Sequence, residues 1–289
     1  MIKSNLPVSI LEFGSTHIRL GIYDKLVSSQ NLFYEKKINY TRDNNFFEDH
    51  PIVNIIRKAE KDTGNHLNEI TLLVDTPSIL SLDLSIQKSY EDKIINNLDI
   101  NYLINECENI VNLNNSEKEI IHVLKSNIYF DGKIINDLEN ISQKASKVTL
   151  DIKFILVDKK ISNFLKNLFI KNDISLDNIF CTTFIKSLGL IKKLDISGPT
   201  AFIDIGLKKS CLSIFQDEKL LYINNTHIGG DHVTKDITKI LKIDYRTAEA
   251  QKLKFSKKDH TKKNNENNEL LKKIINSRLE EIIEILFFD

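Results

Sequence analysis

Tryptophan is absent from these 289 residues, and methionine (1), cysteine (3), proline (4) and glycine (9) are scarce. The three cysteines, Cys107, Cys181 and Cys211, are far apart and odd in number. That excludes a disulfide framework and a CxxC metal knuckle, and it fits a reducing cytosol. Charge of one sign is also lacking. Lys+Arg and Asp+Glu are both 40, for a formal net charge of +0, so there is no global attraction to nucleic acid or anionic lipid. No apolar run approaches the ~20 residues of a membrane span, and the first residues turn polar too soon for a signal peptide. Nucleophile-elbow and Walker motifs are missing. The seven histidines, His17, His50, His66, His122, His227, His232 and His260, do not pair with carboxylates at metal-ligand spacing. What remains is a chain with 41% hydrophobic and 28% charged residues, long enough for a large core and more than one lobe.

Periodicity places the elements. Residues 8–11 form an apolar strand, Glu12-Phe13-Gly14-Ser15-Thr16 a turn, and Ile18, Leu20 and Ile22 an alternating strand, which together make a hairpin. Residues 51–61 read as a helix with Pro51 in its first turn, and residues 70–74 as a buried strand. A β-α-β-β run follows between residues 79 and 158, with helical spacing over 101–113 and a turn at Phe130-Asp131-Gly132-Lys133. Helices are expected at 161–170 and 183–193. Strands are expected at 199–205, 210–215 and 220–224, and further helices at 233–241, 246–255 and 270–288. The polar stretch 256–269 reads as a solvated loop.

Two segments repeat without a gap. Ile10-Leu11-Glu12-Phe13-Gly14 lies over Phe202-Ile203-Asp204-Ile205-Gly206 at an offset of 192 residues, and Leu20-Gly21-Ile22-Tyr23 over Leu212-Ser213-Ile214-Phe215. Each copy is strand, acid-x-Gly turn, strand. A tight glycine turn can present backbone N–H groups to phosphate, and a carboxylate at a strand end can hold hydrated Mg²⁺. Two such turns would clamp a polyphosphate between lobes. Two ordinary hairpins whose acids cap their turns fit the repeat as well.

A third element narrows the choice. Ile228-Gly229-Gly230-Asp231-His232-Val233-Thr234-Lys235-Asp236-Ile237, followed by Ala248-Glu249-Ala250-Gln251-Lys252-Leu253-Lys254, resembles the bacterial FtsA family. In that family an IGGDHITNDI-type segment follows the second phosphate hairpin, and an AExxKxK-type helix comes next. The resemblance implies an α/β, actin-like (ribonuclease H-like) fold of two lobes with a small inserted domain. Its expected parts are a first lobe at 1–78, an inserted interaction domain at 79–158 and the first-lobe remainder and crossover at 159–197. A second-lobe hairpin at 198–230 and an outer subdomain with a returning helix at 231–289 complete them.

The resemblance also implies ATP and Mg²⁺ between the lobes, held by Glu12, Gly14, Ser15, Thr16, Asp204, Gly206, Gly229 and Gly230, with Glu249 and Lys252 beside ribose and adenine. Read without it, Glu249 and Lys252 are a surface ion pair three apart on a helix, and Gly229-Gly230 is a plain turn into a helix. The partner it implies is the C-terminal peptide of FtsZ, docked on residues 231–288, with Arg278 as the carboxylate contact. It further implies self-association into filaments or dimers through the inserted domain, other division proteins as partners, and a place at the cytoplasmic face of the inner membrane at the division site.

The sequence departs from that family in three places. Glu12 stands for Asp and His17 for a phosphate-binding Lys in the first turn. The second turn, Asp204-Ile205-Gly206-Leu207-Lys208-Lys209-Ser210-Cys211, replaces glycines with side chains where backbone must approach phosphate. Lys208 and Lys209 could supply charge there. The later strands, the second adenosine segment and the membrane-binding C-terminal helix of the family do not follow residue 289, so a shortened chain is expected. Residues 285–288 would then have been core. ATPase activity is expected to be weak or absent, with no catalytic residue and no dedicated metal site. The alternatives are the pilus-assembly class of actin-like adaptors and an actin-like sugar kinase.

Overall fold

The computed structural model describes residues 7–14, 17–23, 32–39, 50–135, 141–256 and 266–288. The first sheet has five strands in the order β3-β2-β1-β4-β9. They are β1 (Val8–Phe13), β2 (His17–Tyr23), β3 (Leu32–Asn39), β4 (Glu69–Val74) and β9 (Ser175–Cys181). β1 pairs antiparallel with β2 and parallel with β4. Alternation along β2 buries Ile18, Leu20 and Ile22. The face is covered by α1 (His50–Thr63), which offers Ile52, Ile55, Ile56 and Ala59 at helical spacing, and by α3 (Lys159–Ile170), which offers Leu165 and Phe169.

The β-α-β-β run forms a separate sheet, β5-β8-β6-β7. Its strands are β5 (Leu80–Asn96), β6 (Lys118–Phe130), β7 (Lys133–Ile134) and β8 (Ser142–Asp158). The helix α2 (Asn97–Asn114) packs on it through Ile100, Leu103, Cys107 and Val111. Asn96 and Asp99 cap each other's backbone N–H groups and fix where α2 starts. The expected turn after Phe130 is present, with Asp131 and Gly132 at φ 48° and 81°.

After α4 (Thr182–Leu194) comes the third sheet, β10-β11-β12, formed by β10 (Thr200–Ile205), β11 (Ser210–Gln216) and β12 (Lys219–Thr226). Three helices follow: α5 (Gly230–Leu241), α6 (Tyr245–Ser256) and α7 (Glu266–Phe288). The interval expected as loop at 256–269 is partly helix, since α7 begins at Glu266, and residues 257–265 lie outside the described part. α7 serves two cores. Leu271 and Ile274 pack with Val233, Ile237 and Ala248, and Ile282 and Leu286 pack with Leu212. The expectation of core for 285–288 holds for Leu286. Phe287 and Phe288 are instead 43% and 86% exposed. Among the described residues no helix is long and apolar enough to cross a membrane.

Sequence periodicity missed β3 and β9. β3 has a half-exposed pattern around the polar run Tyr34-Glu35-Lys36-Lys37, and β9 is partly exposed with only Ile179 and Cys181 fully inside. Both owe their strand state to their neighbours in the sheet rather than to local pattern.

One buried contact joins the β5–β8 sheet to the first sheet. The backbone N–H of Cys181 donates to His122 Nε2 at 2.8 Å. The imidazole lies against Phe180 and Phe184, with centroids 5.4 and 4.9 Å away. Burial pushes its pKa down from 6.5 to about 4, so the ring is neutral and its proton sits on Nδ1. The unfolded chain takes up this proton near pH 6.5, and the folded chain only near pH 4. The group therefore leaves stability unchanged above about pH 6.5 and lowers it as pH falls toward 4, by about 3 kcal/mol. Urea midpoints between pH 7 and 4 should show this fall, and His122→Gln, which keeps an acceptor, should flatten it. Parallel acid limbs for the two proteins would exclude His122 as the source.

Candidate functional site

The two turns expected to face each other are equivalent residue by residue. β1 and β2 pair from Val8–Tyr23 to Phe13–Ile18, and β10 and β11 from Thr200–Phe215 to Ile205–Ser210. Every pair in the second ladder stands 192 positions after its counterpart, as 200 − 8 and 215 − 23 show. Each turn is closed by the same bond. Gly14 N–H donates to the His17 carbonyl at 3.1 Å, and Gly206 N–H donates to the Lys209 carbonyl at 2.9 Å. Ser15 and Thr16, expected to hold phosphate with Gly14, lie outside the described residues.

Both turns converge on residues 75–79, which follow β4. Asp75 N–H donates to the Phe13 carbonyl beside the first turn at 3.2 Å. From the second turn, Lys209 reaches across with its ammonium. It pairs with the Asp75 carboxylate and donates to the Thr76 carbonyl at 3.3 Å. Lys209 is 4% exposed. Burial works against its charge, but the Cys211 sulfur and the Asp75 carboxylate favour it and prevail, so its pKa is raised. Lys118 of β6 donates to the Ser78 carbonyl at 3.1 Å, and Asn225 of β12 to the Ile79 carbonyl at 2.8 Å. All three sheets therefore meet on one short segment.

The acids of the two turns have diverged. Glu12 is buried and ion-paired with Lys186 of α4, and Arg19 lies 3.6 Å from its other oxygen. Asp204 is exposed and makes no ion pair among the described residues. His17 stands where Lys209 stands in the second turn. Burial, and after it Lys37, lowers its pKa below 6.5, so it is uncharged at neutral pH.

The double glycine enters α5 through close backbone packing. Gly230 N–H donates to the Gly206 carbonyl and Asp231 N–H to the Leu207 carbonyl, both at 2.8 Å. A Cβ on Gly229 would stand 2.6 Å from the Gly206 oxygen, 2.7 Å from the Leu207 oxygen and 2.8 Å from the Lys209 nitrogen. Only glycine admits that approach. Gly229 N–H donates to His232 Nδ1 at 3.3 Å.

Glu249 and Lys252 meet α5 rather than solvent. Lys252 Nζ donates to the Gly230 carbonyl and to Thr234 Oγ1, and pairs with Glu249, each at 2.8 Å. Thr234 Oγ1 donates to Glu249 at 2.5 Å. Arg278, on α7, grips Asp236 of α5 with two donors at 2.7 and 3.1 Å and Glu281 with a third at 2.5 Å.

The family model of the cell division protein FtsA matches residues 201–284, which hold the second turn, the double glycine, Glu249, Lys252 and Arg278. Among solved structures, a chain of a PilM–PilN type IV pilus biogenesis complex superposes with a TM-score of 0.69 at 12% identity, covering 98% of this chain and 76% of that one. MreB5 of Spiroplasma citri bound to ADP superposes with a TM-score of 0.52 at 12% identity, covering 97% and 77%. The chain has the actin fold and is similar to FtsA over residues 201–284. FtsA proteins of two Helicobacter pylori strains are each 22% identical over 167 residues, covering 58% of this chain. The matched region spans 33% of those relatives' length.

The fold brings Gly206, Gly229 and Gly230 into direct backbone contact, and the turn holding Glu12 and Gly14 reaches them only through Asp75 and Lys209. Glu249 and Lys252 adjoin through Gly230, whereas Arg278 belongs to the α5–α7 face. Sequence reasoning missed Lys186, Asp75, Thr76, Thr234 and Asp236. Of these, Asp75 and Thr76 directly follow the buried strand read at residues 70–74. Among the described residues, part of the set expected for a magnesium–nucleotide already has protein partners: the Gly230 and Asp231 N–H groups bond turn carbonyls and Glu12 is paired with Lys186, whereas Asp204 stays exposed. Where those partners hold, a magnesium–nucleotide does not fit without displacing them.

The glycine pair gives a direct test. Gly229→Ala should cost about 2–3 kcal/mol, because rigid backbone lies on three sides of the new methyl. Gly230→Ala meets only Lys252 Nζ, the far end of a long side chain, at 3.4 Å and the Gly206 oxygen at 3.5 Å, and should cost less. Urea unfolding of both variants checks the order, and equal losses would refute the packing account.

Proposed function

We propose that this chain is a cell-division adaptor of the FtsA kind. In this reading it binds the C-terminal peptide of FtsZ on the face built by α5, α6 and α7. It self-associates through residues 79–158 and meets other division proteins at the cytoplasmic face of the inner membrane. ATP with Mg²⁺ is taken weakly or not at all, and turnover is weak or absent. The observation that carries the proposal is the FtsA family match over 201–284, which runs through the double-glycine segment, the Glu249–Lys252 helix and α7 past Arg278 to residue 284.

The division into residues 1–78, 79–158, 159–197, 198–230 and 231–289 belongs to the same proposal. Arg278 is the intended carboxylate contact. Its side chain is 22% exposed, and it already orders acidic partners on the α5–α7 face. A peptide carboxylate can take the place of Glu281, the more exposed of the two.

Calorimetric titration of an FtsZ tail peptide tests this. Arg278→Ala should weaken binding by about tenfold, the scale of losing a charge-assisted hydrogen bond. Asp236→Asn, which loosens the internal pair and keeps the arginine, should not weaken it. Equal affinities for wild type and Arg278→Ala would remove Arg278 from the site. No binding to wild type would reject the adaptor reading.

A second reading has its own support. The PilM–PilN superposition covers 98% of this chain, so a pilus-assembly adaptor shares the fold. Titration with a PilN-type peptide separates the two, and preference for that peptide would favour the pilus role.

A further inference from the structure

We propose that Lys209 is a built-in cation that locks the first and third sheets together across the cleft, in place of a bound metal–nucleotide. The proposal rests on the reading of the two turns as the cleft of an actin-type fold, and it goes further by naming what closes that cleft.

Three observations carry it. The first is reach. Lys209 leaves the β10–β11 turn, is 4% exposed, and ends on the Asp75 carboxylate and the Thr76 carbonyl beyond β4. A lysine buried this deeply is held by its partners. Removing it leaves Asp75 facing the gap without a counter-charge and the Thr76 carbonyl without that donor.

The second is the broken equivalence of the turns. At the matching position of the first turn stands His17, whose burial keeps it neutral at physiological pH. The permanent charge at this turn position is therefore present in the second copy only, and it points back at the first sheet.

The third is the state of the remaining polar groups. Glu12 is countered by Lys186, and α4, which carries Lys186, is tied to β11 by the Ser187–Ser213 hydroxyl contact at 2.8 Å. The leading N–H groups of α5 are bonded to the Gly206 and Leu207 carbonyls. At Glu12 and Asp75 an incoming divalent cation would have to displace an ammonium from a carboxylate, and at the start of α5 an incoming phosphate would have to displace two backbone hydrogen bonds. The lock needs neither ligand.

The test uses the whole chain, melting curves and amide exchange. Wild type should melt within about 1 °C of the same temperature with and without millimolar Mg-ATP, whereas saturation of a site would raise it by several degrees. Lys209→Met should melt roughly 5–10 °C lower. In that variant, amides of residues 75–79 and 206–211 should exchange at least tenfold faster, while those of α2 keep their wild-type rates. Asp75→Asn retains the side-chain shape and the Thr76 contact. It should show the same exchange pattern at smaller amplitude, and it serves as the readout if Lys209→Met does not fold. Unchanged exchange at both segments in these variants would overturn the lock. A clear Mg-ATP stabilisation of wild type would overturn the substitution for nucleotide. Neither result depends on FtsZ-peptide binding, so loss of the lock and loss of the adaptor role are separate outcomes.

Discussion

The structure depends on five residues, 75–79, of which Thr76 and Ile79 are buried and the others half-buried, and whose backbone groups at Asp75, Thr76, Ser78 and Ile79 bond to protein. Each sheet supplies part of what they need. The first sheet gives the Phe13 carbonyl to Asp75, the third gives Lys209 to Thr76 and Asn225 to Ile79, and the β5–β8 sheet gives Lys118 to Ser78. A buried carbonyl left without a donor costs about 1–3 kcal/mol. The three sheets are thus coupled through a shared set of hydrogen bonds, and displacing one of them strips groups that the others hold. Lys209 is the strongest of these ties because it adds a charge pair to a hydrogen bond.

The duplicated hairpin shows how such a junction can arise. Backbone geometry was kept in both copies: the same ladder register, the same glycine and the same turn bond. Side chains diverged. Glu12 is buried among cations while Asp204 faces solvent, and a neutral imidazole stands opposite a buried ammonium. Glycine was retained where carbonyls close in, and at 229 three backbone atoms occupy the space of a side chain.

Much of this was legible beforehand. The alternation of Ile18, Leu20 and Ile22, the helical spacing of Leu103 and Cys107, and the 192-residue offset follow from local periodicity, which a buried face imposes directly. β3 was not legible, because Tyr34-Glu35-Lys36-Lys37 lies half in solvent and its strand state comes from β2. The start of α7 was hidden by a polar first turn. At the site, the glycines were readable and their partners were not. Lys186, Asp75 and Thr234 are single residues far apart in sequence, and their roles exist only once α4, β4 and α5 are placed. Lys209 was visible as a charge in a damaged phosphate turn, but its direction was not, since a flexible side chain carries no sequence signal of where it points.

The same substitution of internal for external partners runs through the α5–α7 face. Lys252 holds the Gly230 carbonyl, Thr234 and Glu249 together, and Arg278 binds Asp236 and Glu281. These contacts set the relative positions of α5, α6 and α7 by bonds within the chain. On the adaptor reading, the face that meets a partner is therefore preorganised, so less ordering entropy opposes binding. A nucleotide can bias such a face only to the extent that it binds two arrangements of it differently. On the proposal that Lys209 closes the cleft from within, the arrangement is already chosen. On the adaptor reading, partner recognition then follows from salt bridges within the chain rather than from the state of a bound ligand.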